Sequence, residues 1–304
     1  MSVIEVKHVN KNFGDLKAVQ DISFNIDEGS VFGFLGPNGA GKTTTIRMIM
    51  NIIIPDSGEI RVMGEKDMRV INNQIGYLPE ERGIYRKMIL NEVLLFLAEL
   101  KMMKLKAAQQ AVDYWLERFN LMDWKKKKVE ELSKGMQQKL QFIATIMFDP
   151  SLIILDEPFL GLDPINVNLI KNTIVDLKKQ GKTIIFSTHS MESAERLCDE
   201  IFLINKGRKV LSGQLSKVKE SFGKRNIQLQ YEGTHHFLEA STLIDRYDDF
   251  GKYTEVQLRP DVDPQDFLKE IIPQVQIRRF EIMEPSLNDI FIESVTEKKE
   301  MNSA

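Results

Sequence analysis

A chain of 304 residues has room for about two domains, and its 42% apolar and 28% charged residues are the ordinary balance of a globular fold. The formal charge of −3 and pI near 5.9 argue against nucleic acid as the main partner, so none is expected. Cys198 is the only cysteine, which excludes an intrachain disulfide and suits a reducing compartment such as the cytosol.

The opening MSVIEVKHV is too polar for a signal peptide. No run approaches eighteen consecutive apolar residues, so a membrane-bound role requires another protein to supply the spanning part. Ile4, Val6 and Val9 lead into a turn over residues 12–15, and Ile22, Phe24 and Ile26 alternate as a half-buried strand does. Phe13 is expected exposed in that turn, where packing on a neighbouring strand is the plain alternative to a functional role.

After the turn Asp27-Glu28-Gly29 comes a short apolar run, Val31 to Leu35, that reads as a buried strand. The next residues are Gly36, Pro37, Asn38, Gly39, Ala40, Gly41, Lys42, Thr43 and Thr44, which fit the phosphate-loop spacing G-x-x-x-x-G-K-[ST]. Ile46, Met48 and Ile49 then begin a helical stripe, so the context is strand, glycine-rich loop, helix. Such a loop aims backbone N–H groups and a helix N-terminus at one point, which suits a polyphosphate. Lys42 would reach the β- and γ-phosphates, and the Thr43 hydroxyl would hold Mg²⁺.

A turn over residues 55–58 precedes strands at 59–63 and 75–78, the second ended by Pro79. The polar loop Glu80-Glu81-Arg82-Gly83 follows. Residues 88–149 change to helical spacing, with apolar stripes at Val93, Phe96, Leu97 and Leu100 and at Val112, Trp115, Leu116 and Phe119. The lysine run 125–128 reads as a solvated linker rather than a nucleic-acid patch. The sequence LSKGMQQ leads into a helix carrying Met136, Leu140, Ile143 and Met147.

SLIILDEP reads as a central parallel strand ending in two carboxylates. Asp156 would hold Mg²⁺ and Glu157 would orient or deprotonate an attacking water, against the plainer reading of two acids capping the next element. Residues 169–177 are helical, and 183–188 form another buried strand with His189 at its end. A strand at 201–204 turns at Lys206-Gly207 into residues 209–211. Beyond Ser212-Gly213 the segments 227–231, 253–258 and 276–282 alternate as strands, and 264–272 and 286–294 read as helices. These make a small separate α+β domain of ferredoxin-like kind. The adjacent pair His235-His236 lacks the further ligands a metal site needs.

Through its first 210 or so residues the chain resembles the ATP-binding subunits of ABC transporters. LSKGM is similar to that family's signature LSGGQ, the feature that kinases and GTPases lack. Asp163 in GLDP resembles the D-loop and His189 the switch histidine; Phe13 stands where an aromatic stacks on adenine. The pattern is closest to type-2 exporters, including the sodium-extrusion group, and residues 284–291 resemble the end of an accessory domain found in part of it.

The resemblance implies an α/β fold: a phosphate-loop NTPase of the ABC cassette type over residues 1–213. It would have an antiparallel β subdomain, a parallel-sheet core and a helical subdomain at about 88–150. A C-terminal α+β accessory domain would occupy 214–304. It also implies ATP and Mg²⁺ as cofactors and an integral membrane permease as partner. A second nucleotide-binding subunit would place Ser133 and Gly135 against the ATP held by the first. The cytoplasmic face of the membrane is the implied location.

Three departures stand out: Lys134 and Met136 in the signature, Glu80 in place of the Q-loop glutamine, and phenylalanine at position 13. A carboxylate at 80 still suits Mg²⁺ but adds charge beside the phosphates. A soluble ATPase of the same type, acting on ribosomes or nucleic acid, is the alternative. A single phosphate loop and a helical stretch of only about sixty residues count against it.

Overall fold

The computed structural model describes residues 2–81, 83–222, 226–259 and 261–301, with side chains as far as 294. Arg82, in the expected polar loop, lies outside the described residues. The chain divides into two compact units, Met1–Ser212 and Gly213–Ala304.

In the first unit, strands β1 (Ser2–Phe13) and β2 (Leu16–Asp27) form an antiparallel hairpin. Phe13 ends β1 and pairs with Leu16, so the turn itself is Gly14-Asp15. Strand β3 (Val31–Leu35) is buried at every position and feeds the glycine-rich loop and helix α1 (Lys42–Ile49). Strand β4 (Ser57–Val62) returns to pair with β1, and the short helix α2 (Met68–Ile71) leads to β5 (Ile75–Leu78).

Three helices follow: α3 (Leu90–Leu100), α4 (Leu105–Arg118) and α5 (Lys134–Ile146). The expected helices form, but α3 buries Leu90, Val93, Leu94 and Ala98. Phe96 and Leu100 are exposed, so the stripe at 93, 96, 97 and 100 is displaced by one position around the helix. Two periodic sets compete in a segment this apolar, and only packing decides between them. The lysine run is not free chain. The Lys125 and Lys127 carbonyls accept from the Asn91 and Leu90 N–H groups, which ties the segment to the N-terminus of α3.

The remaining elements of this unit are β6 (Leu152–Asp156), α6 (Pro164–Lys179), β7 (Thr183–Thr188), α7 (Met191–Leu197), β8 (Glu200–Asn205) and β9 (Arg208–Gln214), whose last two residues run past the division. Two sheets result: an antiparallel one in the order β2-β1-β4, and a six-stranded one in the order β5-β6-β7-β3-β8-β9. Within the second, β5, β6, β7, β3 and β8 run parallel. Their largely apolar content, rich in Ile, Leu and Phe, is what a strand covered on both faces requires. Phe24 of the first sheet packs among Phe32, Phe34 and Phe202 of the second at centroid distances of 4.8–5.7 Å, which joins the two layers.

The second unit opens with α8 (Leu215–Ser221) and continues β10 (Asn226–Glu232), α9 (His236–Ala240), β11 (Ile244–Asp249), β12 (Thr254–Leu258), α10 (Pro264–Ile271), β13 (Gln276–Met283) and α11 (Leu287–Met301). From β10 to β13 this is β-α-β-β-α-β, and the sheet order β11-β12-β10-β13 is the ferredoxin-like arrangement. Its core is Ile227, Leu229, Val256, Leu258, Phe267 and Ile271 with their neighbours. Strand β11 escapes sequence reading because only Ile244 of its six residues is buried.

Candidate nucleotide site

Parallel strands bring their carboxyl ends to one level, and the register fixes which residues meet there. Leu78 is opposite Leu155, Asp156 opposite Ser187, and Leu35 opposite Thr188. The residues just past those ends are therefore neighbours: Glu80 after β5, Glu157 after β6, His189 after β7 and the glycine-rich loop after β3. Ligands bind at this edge in open parallel sheets.

The loop conformation needs its glycines. Gly36, Gly39 and Gly41 have φ of 154°, 76° and 110°. A Cβ on Gly36 would lie 2.2 Å from the Ile204 carbonyl oxygen, and one on Gly41 would lie 2.6 Å from that of Ala18. The side chain of Lys42 is buried, at 5% exposure, and its amine donates to the carbonyls of Gly36 at 2.9 Å and Pro37 at 3.2 Å. The same amine lies 3.3 Å from Glu157 Oε1.

Thr43 Oγ1 is 3.2 Å from Glu80 Oε2 and 3.3 Å from Asp156 Oδ1. Ser187 links the two strand-end acids: its hydroxyl donates to Asp156 Oδ1 and accepts from the Glu157 N–H. Glu157 has a left-handed φ of 48°, a conformation a non-glycine residue holds only where its surroundings impose it. His189 Nδ1 lies 3.1 Å from both Glu157 carboxylate oxygens.

Burial holds the Asp156 carboxyl above the usual carboxylate range, and the nearby Glu80 and Glu157 add to this against the hydrogen bonds from Ser187 and Thr43. Asp156 Oδ2 is buried and has no hydrogen-bond partner among the described residues. An orphaned buried carboxylate oxygen beside a hydroxyl and a second carboxylate suits a divalent cation. Among the described residues no three acidic, histidine or cysteine side chains close on one point. That incompleteness matches Mg²⁺, which keeps several waters and phosphate oxygens as ligands, better than a metal held wholly by protein.

An open cleft of about 580 Å³ runs over the loop. Phe13, Asn38, Gly39, Gly41, Lys42, Thr43, Thr44, Glu80 and Glu157 line it, together with Leu16, Lys17, Ala18, Gln20 and Lys206. Phe13 is 48% exposed, and Lys11 covers its ring at 5.6 Å from the centroid. The structure does not bring every candidate to this cleft. Ser133 caps α5 by accepting from the Met136 N–H at 3.3 Å, and Asp163 caps α6 by accepting from Ile165 and Asn166 at 3.0 Å each. Lys134 lines a separate hollow with Glu80, Glu81, Arg86, Gln137 and Leu160. Ser133, Gly135 and Asp163 are absent from the cleft lining. Leu16, Lys17, Gln20 and Lys206 escape sequence reading as site residues, because they come from turns and strand ends whose approach to the loop only the tertiary fold creates.

Sequence and fold are both shared with known proteins. Residues 19–160 match the family model described as ABC transporter, and 213–295 match that of the DrrA1-3-like ATP-binding protein C-terminal domain. The chain is 45% identical to an uncharacterized ABC transporter ATP-binding protein, YhaQ, of Bacillus subtilis, over 96% of this chain and 98% of that one. It is 36% identical to the Nod factor export ATP-binding protein I of Burkholderia lata, with 83% of each covered. Among solved structures, an ATP-binding subunit of an ABC transporter superposes with a TM-score of 0.68 at 30% identity, covering 73% of this chain and 93% of that one.

Proposed function

The chain belongs to the ABC transporter ATP-binding family, and from that membership we propose that two copies close head to tail on two ATP molecules to drive a membrane-embedded exporter. Binding and hydrolysis of ATP to energise transport are the family's activity, and the proposal concerns how these residues perform it. The observation that carries it is the division of the site. One cleft gathers the phosphate loop, Glu80 and Glu157, while Ser133 and Gly135 of the same chain do not line it. A second copy supplies them.

In this reading the triphosphate lies along the loop, where the Lys42 amine exchanges the Gly36 and Pro37 carbonyls for β- and γ-phosphate oxygens. The adenine stacks on Phe13, on the ring face that Lys11 does not cover. Thr43, Asp156 and Glu80 would hold Mg²⁺, which when bound neutralises phosphate charge. Glu157 accepts a proton from, or orients, the attacking water, and His189 fixes the Glu157 carboxylate from its other side. The N-terminus of α5 in the partner copy faces the γ-phosphate through Ser133 and Gly135.

In the same reading a permease partner supplies the spanning path and holds the chain at the inner face; no helix among the described residues is long and apolar enough to cross a membrane. Similarity to transport subunits favours this reading over a soluble ATPase acting on ribosomes or nucleic acid. The test is Glu157→Gln. Its hydrolysis should fall by roughly 10²–10⁴ while ATP binding survives, and light scattering should find an ATP-dependent dimer. A variant that stays monomeric at saturating ATP overturns the two-copy mechanism. Lys42→Ala should lose nucleotide affinity.

A further inference from the structure

Lys206 stands in the turn between β8 and β9, with φ of 49°, followed by Gly207 at 75°. This turn is bonded to β2 and to the phosphate loop. The Gln20 backbone N–H donates to the Gly207 carbonyl at 2.7 Å, and the Gln20 side-chain amide donates to the Lys206 carbonyl at 2.9 Å. The Gly207 N–H donates to the Ala40 carbonyl in the phosphate loop at 2.9 Å. Arg208 Nε donates to Gln20 Oε1 at 3.1 Å. A Cβ at position 207 would lie 2.8 Å from the Ala18 carbonyl oxygen, so the turn is seated too closely for any residue but glycine.

The main chain of Lys206 is thus fixed, and its side chain lines the cleft. Among the described residues its ammonium has no ion-pair partner, whereas the buried Lys42 amine has Glu157. A cation on an immobile backbone beside an anion-binding loop gains a partner only when an anion arrives.

Position along the cleft says which anion. The cleft is lined by the hairpin end bearing Phe13 and Leu16 and by Thr43, Glu80 and Glu157, with Thr43 Oγ1 3.2 Å from Glu80 Oε2. Lys206 accepts from Gln20, on the strand that leads away from Phe13 and Leu16, and the adjoining Gly207 donates to Ala40, in the loop that leads to Thr43. Granting that the cleft takes a nucleotide, we propose that Lys206 binds its α-phosphate, the anionic group next to the ribose. Phosphate chain length and base identity then leave its contact unchanged.

The experiment is calorimetric titration of ATP, ADP and GTP in EDTA, which removes turnover and metal from the comparison. Lys206→Ala should weaken all three by the same factor, about tenfold for one charge-assisted hydrogen bond at an open site. Lys206→Arg should restore most of the loss, with both variants melting where the wild type does. Unchanged affinities in Lys206→Ala overturn the assignment. A loss confined to ATP would put Lys206 on the γ-phosphate, and a change in the preference for adenine over guanine would put it on the base; either overturns it too. If the wild type binds none of the three, the nucleotide reading of the cleft falls first and takes this one with it.

Discussion

At the scale of single residues, the site opposes stability, and Asp156 shows where. Its Oδ2 is buried without a hydrogen-bond partner among the described residues, and burial together with Glu80 and Glu157 disfavours its charged form. A carboxyl whose folded pKa is raised above its unfolded value makes the native state bind a proton more readily. Stability associated with the protonated form is present at low pH and is lost as pH rises through the folded pKa. An asparagine at this position would carry no charge while keeping an oxygen for Ser187 and Thr43. In EDTA at neutral pH, Asp156→Asn should therefore be about 1 kcal/mol more stable than the wild type, roughly 2–4 °C in Tm, while losing Mg²⁺-dependent hydrolysis. The gap in Tm should narrow in acidic buffer, where the wild-type carboxyl takes up its proton more readily than in the unfolded chain. Scanning calorimetry at both pH values checks this, and a variant less stable than the wild type in neutral EDTA would remove the strain from Asp156. Phosphate-loop residues are legible in the sequence for the opposite reason to Lys206. Nine consecutive residues carry the whole device, so spacing alone identifies it, whereas Lys206 acquires its neighbours from residues 18–20 and 40 only after the chain folds.

At the scale of elements, legibility follows the number of faces buried. Strands β5 and β7 have the limits expected from the sequence, and β7 is buried at every position, its polar Thr183, Ser187 and Thr188 included. The ferredoxin-like unit gives up β10, β12 and β13 through alternation but hides β11, an edge strand with five exposed residues. Helix α3 is legible as a helix but not in its orientation, since Leu94 and Ala98 rather than Leu97 and Leu100 turn inward. One glycine sets how closely two elements approach. A Cβ at Gly76 in β5 would lie 2.3 Å from the Thr145 carbonyl oxygen of α5, a backbone atom that cannot rotate away. Gly76→Ala must push α5 off the sheet, and we expect a loss of about 3 kcal/mol or more. Because Ser133 caps α5, that shift should also impair ATP-dependent dimerisation. Ser133→Asn separates the two effects: asparagine keeps the N-cap, so the Tm should hold while the γ-phosphate contact is altered. Urea melts and light scattering on the two variants test this, and a Gly76→Ala protein of wild-type stability would mean the β5–α5 spacing is more yielding than its geometry says.

At the scale of the whole molecule, the two units differ in what they carry. Every residue lining the nucleotide cleft comes from position 206 or earlier, and the first unit has its own core running from Val3 to Ile204. Among the described residues the second unit has a core of its own, running from Ile227 to Ile271. A core that closes on itself is the physical condition for folding alone. A chain ending at Gln214, which keeps all of β9, should therefore bind ATP within about twofold of the full chain. Residues 213–304 by themselves should unfold in urea in one cooperative step, with a slope near ~1 kcal/mol/M as expected for so small a domain. The decisive comparison adds Glu157→Gln to the shortened chain. If the clamp consists of the phosphate loop of one copy and the Ser133 end of α5 from another, ATP should still produce the dimer, because both halves of each contact remain. A shortened Glu157→Gln chain that binds ATP but stays monomeric would instead assign dimer formation to the ferredoxin-like unit. That unit would then hold the copies together, and the cassette would be left with the chemistry alone.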